Sequence, residues 1–352
     1  MMVTHSRRLI GNAIKRTTRR NILMNVNAAL AGRFAGAPLR IGTRTSVLAM
    51  TQAERVAALI GGFGVTTEIV PIQVTSDLWS GDLSAIGGKA AFSKQIDRAL
   101  TGGEIDVAVH CVKDVPGDVP LPEGTAFGAY LEREDVHDVI VSRDGTPLAD
   151  IPAGSLIGTS SVRRRAQLCI HRPDLRTERI RGNVDSRLAR LREQDGPFAA
   201  LILARAGLQR LGLAGHVTEV LPVEFRTPGE GVVGMVPPVG AGVLGIQART
   251  ADTPVMLMLD QLNHPATAGH ILAERTMLHM LRGHCNSPIA GYATTTPDGQ
   301  MSLFGMVFNL DGSQFVRSRA WGDPADPATL GSRVAADLLH QGAGRLITAT
   351  RE

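Results

Sequence analysis

The 352-residue chain is poor in cysteine, in aromatic side chains and in long apolar runs. Its three cysteines, Cys111, Cys169 and Cys285, lie far apart and show neither the paired spacing of a zinc site nor the density of a disulfide scaffold. No metal is expected, and a reducing, cytoplasmic compartment is the simplest setting. Aromatic residues make up 4 % of the chain. The longest uncharged apolar stretch, Val232 to Ile246, is broken by Pro237, Pro238 and several glycines. It falls short of the roughly 20 residues a spanning helix needs, so it reads as buried backbone and no membrane role is expected. Acidic residues are absent before Glu54, which leaves Met1 to about Leu39 purely basic, with Arg7, Arg8, Lys15, Arg16, Arg19, Arg20 and Arg33. That leader suits either an organelle transit peptide, with a stroma or matrix destination, or a disordered extension. Residues 1–38 are therefore set apart from the fold.

What is present is a soluble composition, 43 % hydrophobic with a net charge of +4, and a length that allows two or three domains. The charge is unevenly placed. Between Arg163 and Arg192 stand ten arginines and no lysine.

Regular structure is expected from Leu39, where a short strand to Ile41 runs through Gly-Thr-Arg-Thr-Ser into a helix capped by Thr45 or Ser46. Phe92, Ile96, Ala99 and Leu100 form a helical stripe that Gly102 and Gly103 end. Ile105, Val107 and Val109 then alternate as a strand, with Lys113 and Asp114 at its end. Strand, helix and strand in turn predict a parallel sheet, in which ligands sit beyond the carboxyl ends of strands. The pattern repeats at Asp138–Ser142, Ser155–Leu168, Arg179–Leu191 and Phe198–Leu213. Beyond Pro265 a helix with Ala273, Met277, Met280 and Leu281 on one face stops at Gly283, and a small α+β unit follows with a helix near Leu330 to Gln341. The expected partition is 39–131 with 236–256, then 135–231, then 260–352.

In "GTSSVRRR" two hydroxyls, Ser160 and Ser161, precede a helix opening with Arg163 and Arg164, a combination of free N–H groups, dipole and guanidinium forks that selects anions. Arg181, Arg187 and Arg210 follow neighbouring strands. A solvated charged face and a nucleic-acid patch are the competing readings; the absence of any aromatic among the arginines removes a base-stacking platform. "GEGVVG" and "GAGVLG" both satisfy the dinucleotide spacing, but Pro237 and Pro238 oppose a strand before the second and Asp252-Thr253-Pro254 breaks a helix after it. Cys285 stands in a polar loop beside His284, where no protease-like orienting acid can be assigned.

Nine ordered blocks, "RIGTRTSVLA", "GGKAAFSKQ", "AVHCVKDVP", "REDVHDVIVS", "GTSSVRRRAQL", "IRGNVDSRL", "LARAGLQRLGL", "LNHPATAGHILAERTML" and the cysteine loop, make the chain from Leu39 onward resemble the porphobilinogen deaminase (hydroxymethylbilane synthase) family. The resemblance implies an α/β three-domain protein: two domains like type II periplasmic binding proteins and a C-terminal α+β domain. It implies a dipyrromethane cofactor on Cys285 through a thioether, and a transferase that joins four porphobilinogen units and releases hydroxymethylbilane. By correspondence Asp114 is catalytic. Lys113, Arg163, Arg164, Ser161, Arg44 and Ser46 contact the cofactor, and Arg181, Arg187, Arg210 and Lys89 contact substrate carboxylates. A monomer without a nucleic-acid or membrane partner is expected. The sequence departs from the family pattern at Ser76, in Gly87–Phe92, at Ala241, His284 and Ala290, which leaves open a divergent paralogue with weak activity or a dedicated pathway role. An Arg-rich polyanion or nucleic-acid binder is the distant alternative.

Overall fold

The computed structural model describes residues 26–75, 93–225, 234–283 and 287–350. Two five-stranded sheets and one three-stranded sheet organise the chain. The first contains β1 (Leu39–Arg44), β2 (Thr67–Ile72), β3 (Val107–Cys111), β4 (Thr125–Tyr130) and, from much later in the chain, β10 (Leu244–Arg249), in the order β2-β1-β3-β10-β4. The second contains β5 (Asp138–Ser142), β6 (Leu156–Gly158), β7 (Arg176–Glu178), β8 (Phe198–Ala204) and β9 (Glu219–Val220), in the order β7-β6-β8-β5-β9. Both sheets are mixed rather than parallel. Four strands in each run in one direction, and the fourth in the order, β10 or β5, runs antiparallel to both neighbours. In each domain this fourth strand is the one delivered by the chain as it crosses from the other domain, a long-range pairing that local periodicity does not report.

Helices cover the sheets. The first domain carries α1 (26–33), α2 (Val47–Gly61) and α3 (Lys94–Thr101). The second carries α4 (Val162–His171), α5 (Val184–Arg192) and α6 (Arg205–Arg210). After α7 (Thr253–Leu262) come α8 (Pro265–Met280), α9 (Pro327–His340) and α10 (Ala343–Thr348), which pack on one face of β11 (Ile289–Thr295), β12 (Met301–Phe308) and β13 (Phe315–Gly322). The other face of that antiparallel sheet sends Met306 and Phe308 against Ala166 of α4. This is the expected three-domain α/β architecture.

Two local results refine the sequence reading. The alternation in β3 does not separate core from solvent: Val107 and Val109 enter one core with α2, while Ala108 enters another with Ile96 and Leu100 of α3. The strand end is thus gripped from both faces. Residues 26–33, assigned by composition to the extension, form a helix because Val26, Leu30 and Phe34 recur at a spacing of four and close over the first core. Arg33 then reaches Asp252 at 3.1 Å and the buried Asp106 at 3.3 Å.

The two crossings pair with each other. Leu131 N–H donates to Leu244 O and Glu134 N–H to Gly242 O. Gly240 and Gly242 have φ of +76° and +72°, and a Cβ on either would lie 2.8 Å from Lys113 N or 2.5 Å from Glu134 O. The "GAGVLG" stretch is therefore a tight turn opening a strand, with glycines selected by backbone contact and not by a nucleotide. Over this turn sits Glu274 of α8, with no exposed surface. It accepts Gly240 N–H at 2.8 Å, Ala293 N–H at 2.9 Å and the Arg133 guanidinium at 2.7 Å.

Glu274→Gln tests this junction. Three donors face two carboxylate oxygens, and an amide offers one oxygen and strands a buried guanidinium. A loss of about 3–5 kcal/mol in denaturant unfolding is expected, as for a buried pair stripped of one charge; an unchanged midpoint would refute the role.

Candidate active site

A cavity of about 510 Å³ opens between the two five-stranded domains, within the usual range for small-molecule sites. Its walls come from segment ends. Arg44 closes β1, and Ser46 caps α2 by accepting Ala49 N–H at 3.3 Å. Lys113 and Asp114 occupy one 3₁₀ turn directly after β3. Across the cleft, Arg181 precedes α5, which Asn183 caps by accepting Ser186 N–H at 2.8 Å. Arg187 lies in α5, and Arg210 ends α6. The structure thus brings Arg44, Ser46, Lys113, Asp114, Arg164, Arg181, Arg187 and Arg210 to one cavity, with Gly240 to Gly242 as its floor.

Carboxylates on this wall are mostly committed elsewhere. Asp138 opens β5 fully buried, and receives Arg163 Nη2 and Arg164 Nη2 at 2.6 Å each. The two guanidinium groups hold its carboxyl far below the usual range against the opposing effect of burial. Asp135 is taken by Arg205 and His137, and Glu134 by Arg210 at 2.6 Å and by Arg55. Asp114 differs. Half-buried, it has no hydrogen bond or ion pair among the described residues, and the same is true of Lys113. Arg187 donates Nε–H to Gly182 O, and its pKa is pushed down to about 10 by burial and by the nearby charges of Arg164 and Arg181. The cavity is short of negative charge.

Two expected site residues are placed differently, and two more lie outside the described residues. Arg163 is 4 % exposed and does not reach the cavity; it donates to Val236 O at 2.5 Å and to Asp138, so the first arginine of the pair anchors and only the second faces the cleft. Helix geometry is the reason, since neighbours on α4 point about 100° apart. Ser161 is the α4 cap, accepting Arg164 N–H at 3.4 Å, and is not part of the cavity lining. Lys89 and Cys285, with His284, lie outside the described residues. Asp138 escaped the sequence reading, although an acid at the head of the all-apolar run "DVIVS" was the available signal. Cys111 also lines the cleft unforeseen. Among the described residues, no group of three or more His, Cys, Asp or Glu side chains could hold a metal ion.

Residues 39–256 match the family model described as porphobilinogen deaminase, dipyromethane cofactor binding domain, and residues 268–340 match the porphobilinogen deaminase C-terminal domain. The chain belongs to the porphobilinogen deaminase family. Porphobilinogen deaminase 2 of Streptomyces coelicolor is 47 % identical over 88 % of this chain and 96 % of its own length. The porphobilinogen deaminase of Halalkalibacterium halodurans is 42 % identical over 89 % and 97 %. Among solved structures, the B. pertussis BvgS periplasmic domain covers 68 % of this chain and 41 % of its own, at 15 % identity and a TM-score of 0.41. The methionine binding protein MetQ covers 64 % and 89 %, at 12 % identity and a TM-score of 0.40.

The dipyrromethane group of this porphobilinogen deaminase domain fits what the cavity lacks. Its pyrrole rings carry acetate and propionate groups, and the crowded guanidinium of Arg187 has no hydrogen-bonded carboxylate among the described residues.

Arg163 and Arg187 should respond in opposite ways. Removing the buried partner of Asp138 in Arg163→Ala is expected to cost about 3–5 kcal/mol of stability. Arg187→Gln relieves like-charge crowding, so the ligand-free protein should unfold at an equal or higher temperature while cofactor or substrate binding weakens. Thermal unfolding of both variants, read beside turnover, checks the contrast. Acid should act through Asp138: its lowered carboxyl pKa stabilises the fold above the unfolded value of about 4, and that contribution is lost as pH falls below it. Asp138→Asn should lose this part of the acid sensitivity.

Proposed function

We propose that the chain is a hydroxymethylbilane synthase. It joins four porphobilinogen molecules head to tail, loses one ammonia at each addition, and releases the linear tetrapyrrole by hydrolysis. The observation that carries this reading is Asp114, a carboxylate with no hydrogen bond or ion pair among the described residues, in a cavity whose other acids, Asp135 and Asp138, are already taken by Arg205, Arg163 and Arg164. A substrate bearing an acetate and a propionate is drawn to such walls, and guanidinium forks suit carboxylates geometrically. Arg44, Arg164, Arg181, Arg187, Arg210 and Lys113 are the groups assigned to these carboxylates, with Ser46 beside them. The covalently held dipyrromethane supplies the primer to which the first unit is added.

Asp114 faces the opposite demand. Loss of ammonia from porphobilinogen leaves an electron-poor cation, and a carboxylate held near the pyrrole N–H groups stabilises it and carries protons. The turn that holds Asp114 is fixed behind by the gripped end of β3 and above by the Gly240 turn, so the charge is positioned before substrate arrives.

Cys285 is the proposed attachment site, with Lys89 as a further cationic contact. The reading is supported by the flanks of the loop: Gly291 N–H donates to Pro237 O, next to Pro238 of the cavity wall, and Phe308 N–H donates to Pro288 O. We also read the protein as a monomer acting in the cytoplasm, a setting that suits the unpaired thiols of Cys111 and Cys169. No helix among the described residues is long and apolar enough to cross a membrane.

Two measurements test the assignment. The purified protein should exceed its sequence mass by two linked pyrrole units, and Cys285→Ser should lack the excess; active enzyme of unmodified mass would contradict the cofactor site. Asp114→Asn, loaded with preformed hydroxymethylbilane, should fold normally and lose turnover on the order of 10²–10³-fold, the usual cost of one transition-state electrostatic contact. Near-normal ammonia release from that variant would reduce Asp114 to a structural strand-end residue.

A further inference from the structure

Behind Asp114, on the side away from the substrate cleft, lies a second and much smaller pocket of about 40 Å³. Asp114 lines both spaces, as do Arg44 and Cys111, and so stands between them. The small pocket is also lined by Gln52 of α2 and His110 of β3, neither of which reaches the main cavity. Gln52 is 4 % exposed and His110 7 %.

The hydrogen bonds around these two residues fix which of their atoms remain to be satisfied. Thr125 Oγ1–H donates to Pro122 O at 2.7 Å, so Thr125 Oγ1 accepts from Gln247 Nε2–H at 2.9 Å. Gln247 Oε1 then faces His110 Nε2 at 3.0 Å and requires a proton there. The imidazole is therefore the Nε2–H tautomer, which leaves a lone pair on Nδ1. Gln52 Oε1 accepts from the Cys111 thiol at 3.3 Å, and Gln52 Nε2 is buried without a hydrogen-bond partner. A buried amide donor left unmade costs free energy, and this one borders a space large enough for a water molecule, which needs on the order of 10–15 Å³ and two to four polar partners.

We infer that the pocket holds a structural water, which accepts from Gln52 Nε2–H, donates to His110 Nδ1 and meets the Asp114 carboxyl, making His110 a proton-holding residue behind Asp114. This rests on the reaction proposed above. When the attacked pyrrole carbon gives its proton to Asp114, the Asp114 O–H bond breaks toward the water as the water passes one of its protons to Nδ1. The result is an imidazolium and a restored carboxylate. The proton returns along the same two hydrogen bonds to Asp114, which passes it to the aminomethyl nitrogen of the next porphobilinogen, and that nitrogen leaves as ammonia when its C–N bond breaks. His110 acts through Asp114 and is a positioning residue in this sense, not a group that touches substrate.

The charges facing His110 come from several elements. Asp97 of α3 and Asp114 favour its protonated form, and so does the bond to Gln247 of β10; Arg44 and Cys111 border the same pocket. Burial outweighs them and pushes the imidazolium below its ordinary pKa, which favours the neutral ring with its Nδ1 lone pair.

The test compares wild type, His110→Asn and Gln52→Met, each carrying its own cofactor, by steady-state kcat and KM for porphobilinogen across pH, with solvent deuterium effects. Both variants should lose about tenfold in kcat, less than the roughly 10²–10⁴-fold of a direct acid–base group because His110 acts through Asp114, with KM within about twofold. The acidic fall in kcat should disappear in His110→Asn and persist in Gln52→Met, and the solvent isotope effect should change in both. Wild-type kcat with an unaltered acid limb in a folded His110→Asn would overturn the relay. Should His110→Asn fail to fold, an unaltered kcat and isotope effect in Gln52→Met would do so. If wild type releases no ammonia from porphobilinogen, the proposed reaction fails and not the water site. That site is read separately by a high-resolution structure, where density between Gln52 Nε2 and His110 Nδ1 supports it and an empty pocket overturns it.

Discussion

Glu274 touches every part of the molecule that has to stay in register. From one helix of the third domain it holds the turn at Gly240, the second crossing between the cleft domains; through Arg133 it holds the first crossing; and through Ala293 N–H it holds the start of its own sheet. The two carboxylate oxygens are shared among three donors in a space closed to water, where hydrogen bonds are strong and unmade ones costly. Because Gly240 packs on the backbone of Lys113, the same contact fixes the turn that carries Asp114. The carboxylate proposed as catalytic, the domain crossings and the domain proposed to bear the cofactor cysteine are consequently one mechanical unit.

Around that unit the arginines divide by function. Arg163 and Arg164 neutralise Asp138, Arg172 binds Asp174 and the carbonyls of Leu148 and Ile151, Arg176 binds Gly154 O, and Arg190 lies over Phe198. Arg181 and Arg187 turn into the cavity. The ten arginines therefore form no single charged face. Several neutralise or cap backbone inside the second domain, and the minority that reach the cleft do so in mutual repulsion, which favours an anionic ligand over solvent.

Much of this was legible in the chain. The strand ending ahead of Asp114, a cap at Thr45 or Ser46, the helix after Pro265 and the small C-terminal α+β unit all follow from spacing, capping and turn residues that act within a few positions, whereas the first strand runs on past Ile41 to Arg44. The order of nine motifs gave the family. What stayed illegible involves partners distant in sequence: the antiparallel fourth strands, the helix over 26–33 hidden in a basic leader, and the commitment of Arg163 to Asp138.

The sequence alone determined most of the helices and strands beyond Leu39, the clustering of arginines between Arg163 and Arg192, and the place of Asp114 at a strand end, because backbone propensity, periodicity and residue chemistry are local. Only the tertiary structure decided which arginine lines the cavity and which is buried, that two glycines serve backbone packing and no nucleotide, and that His110, Gln52 and Asp114 line one small pocket. Those outcomes depend on the contacts that segments tens to more than a hundred residues apart make once their apolar faces are buried together, and burial is a property of the assembled cores that no single stretch of the chain contains.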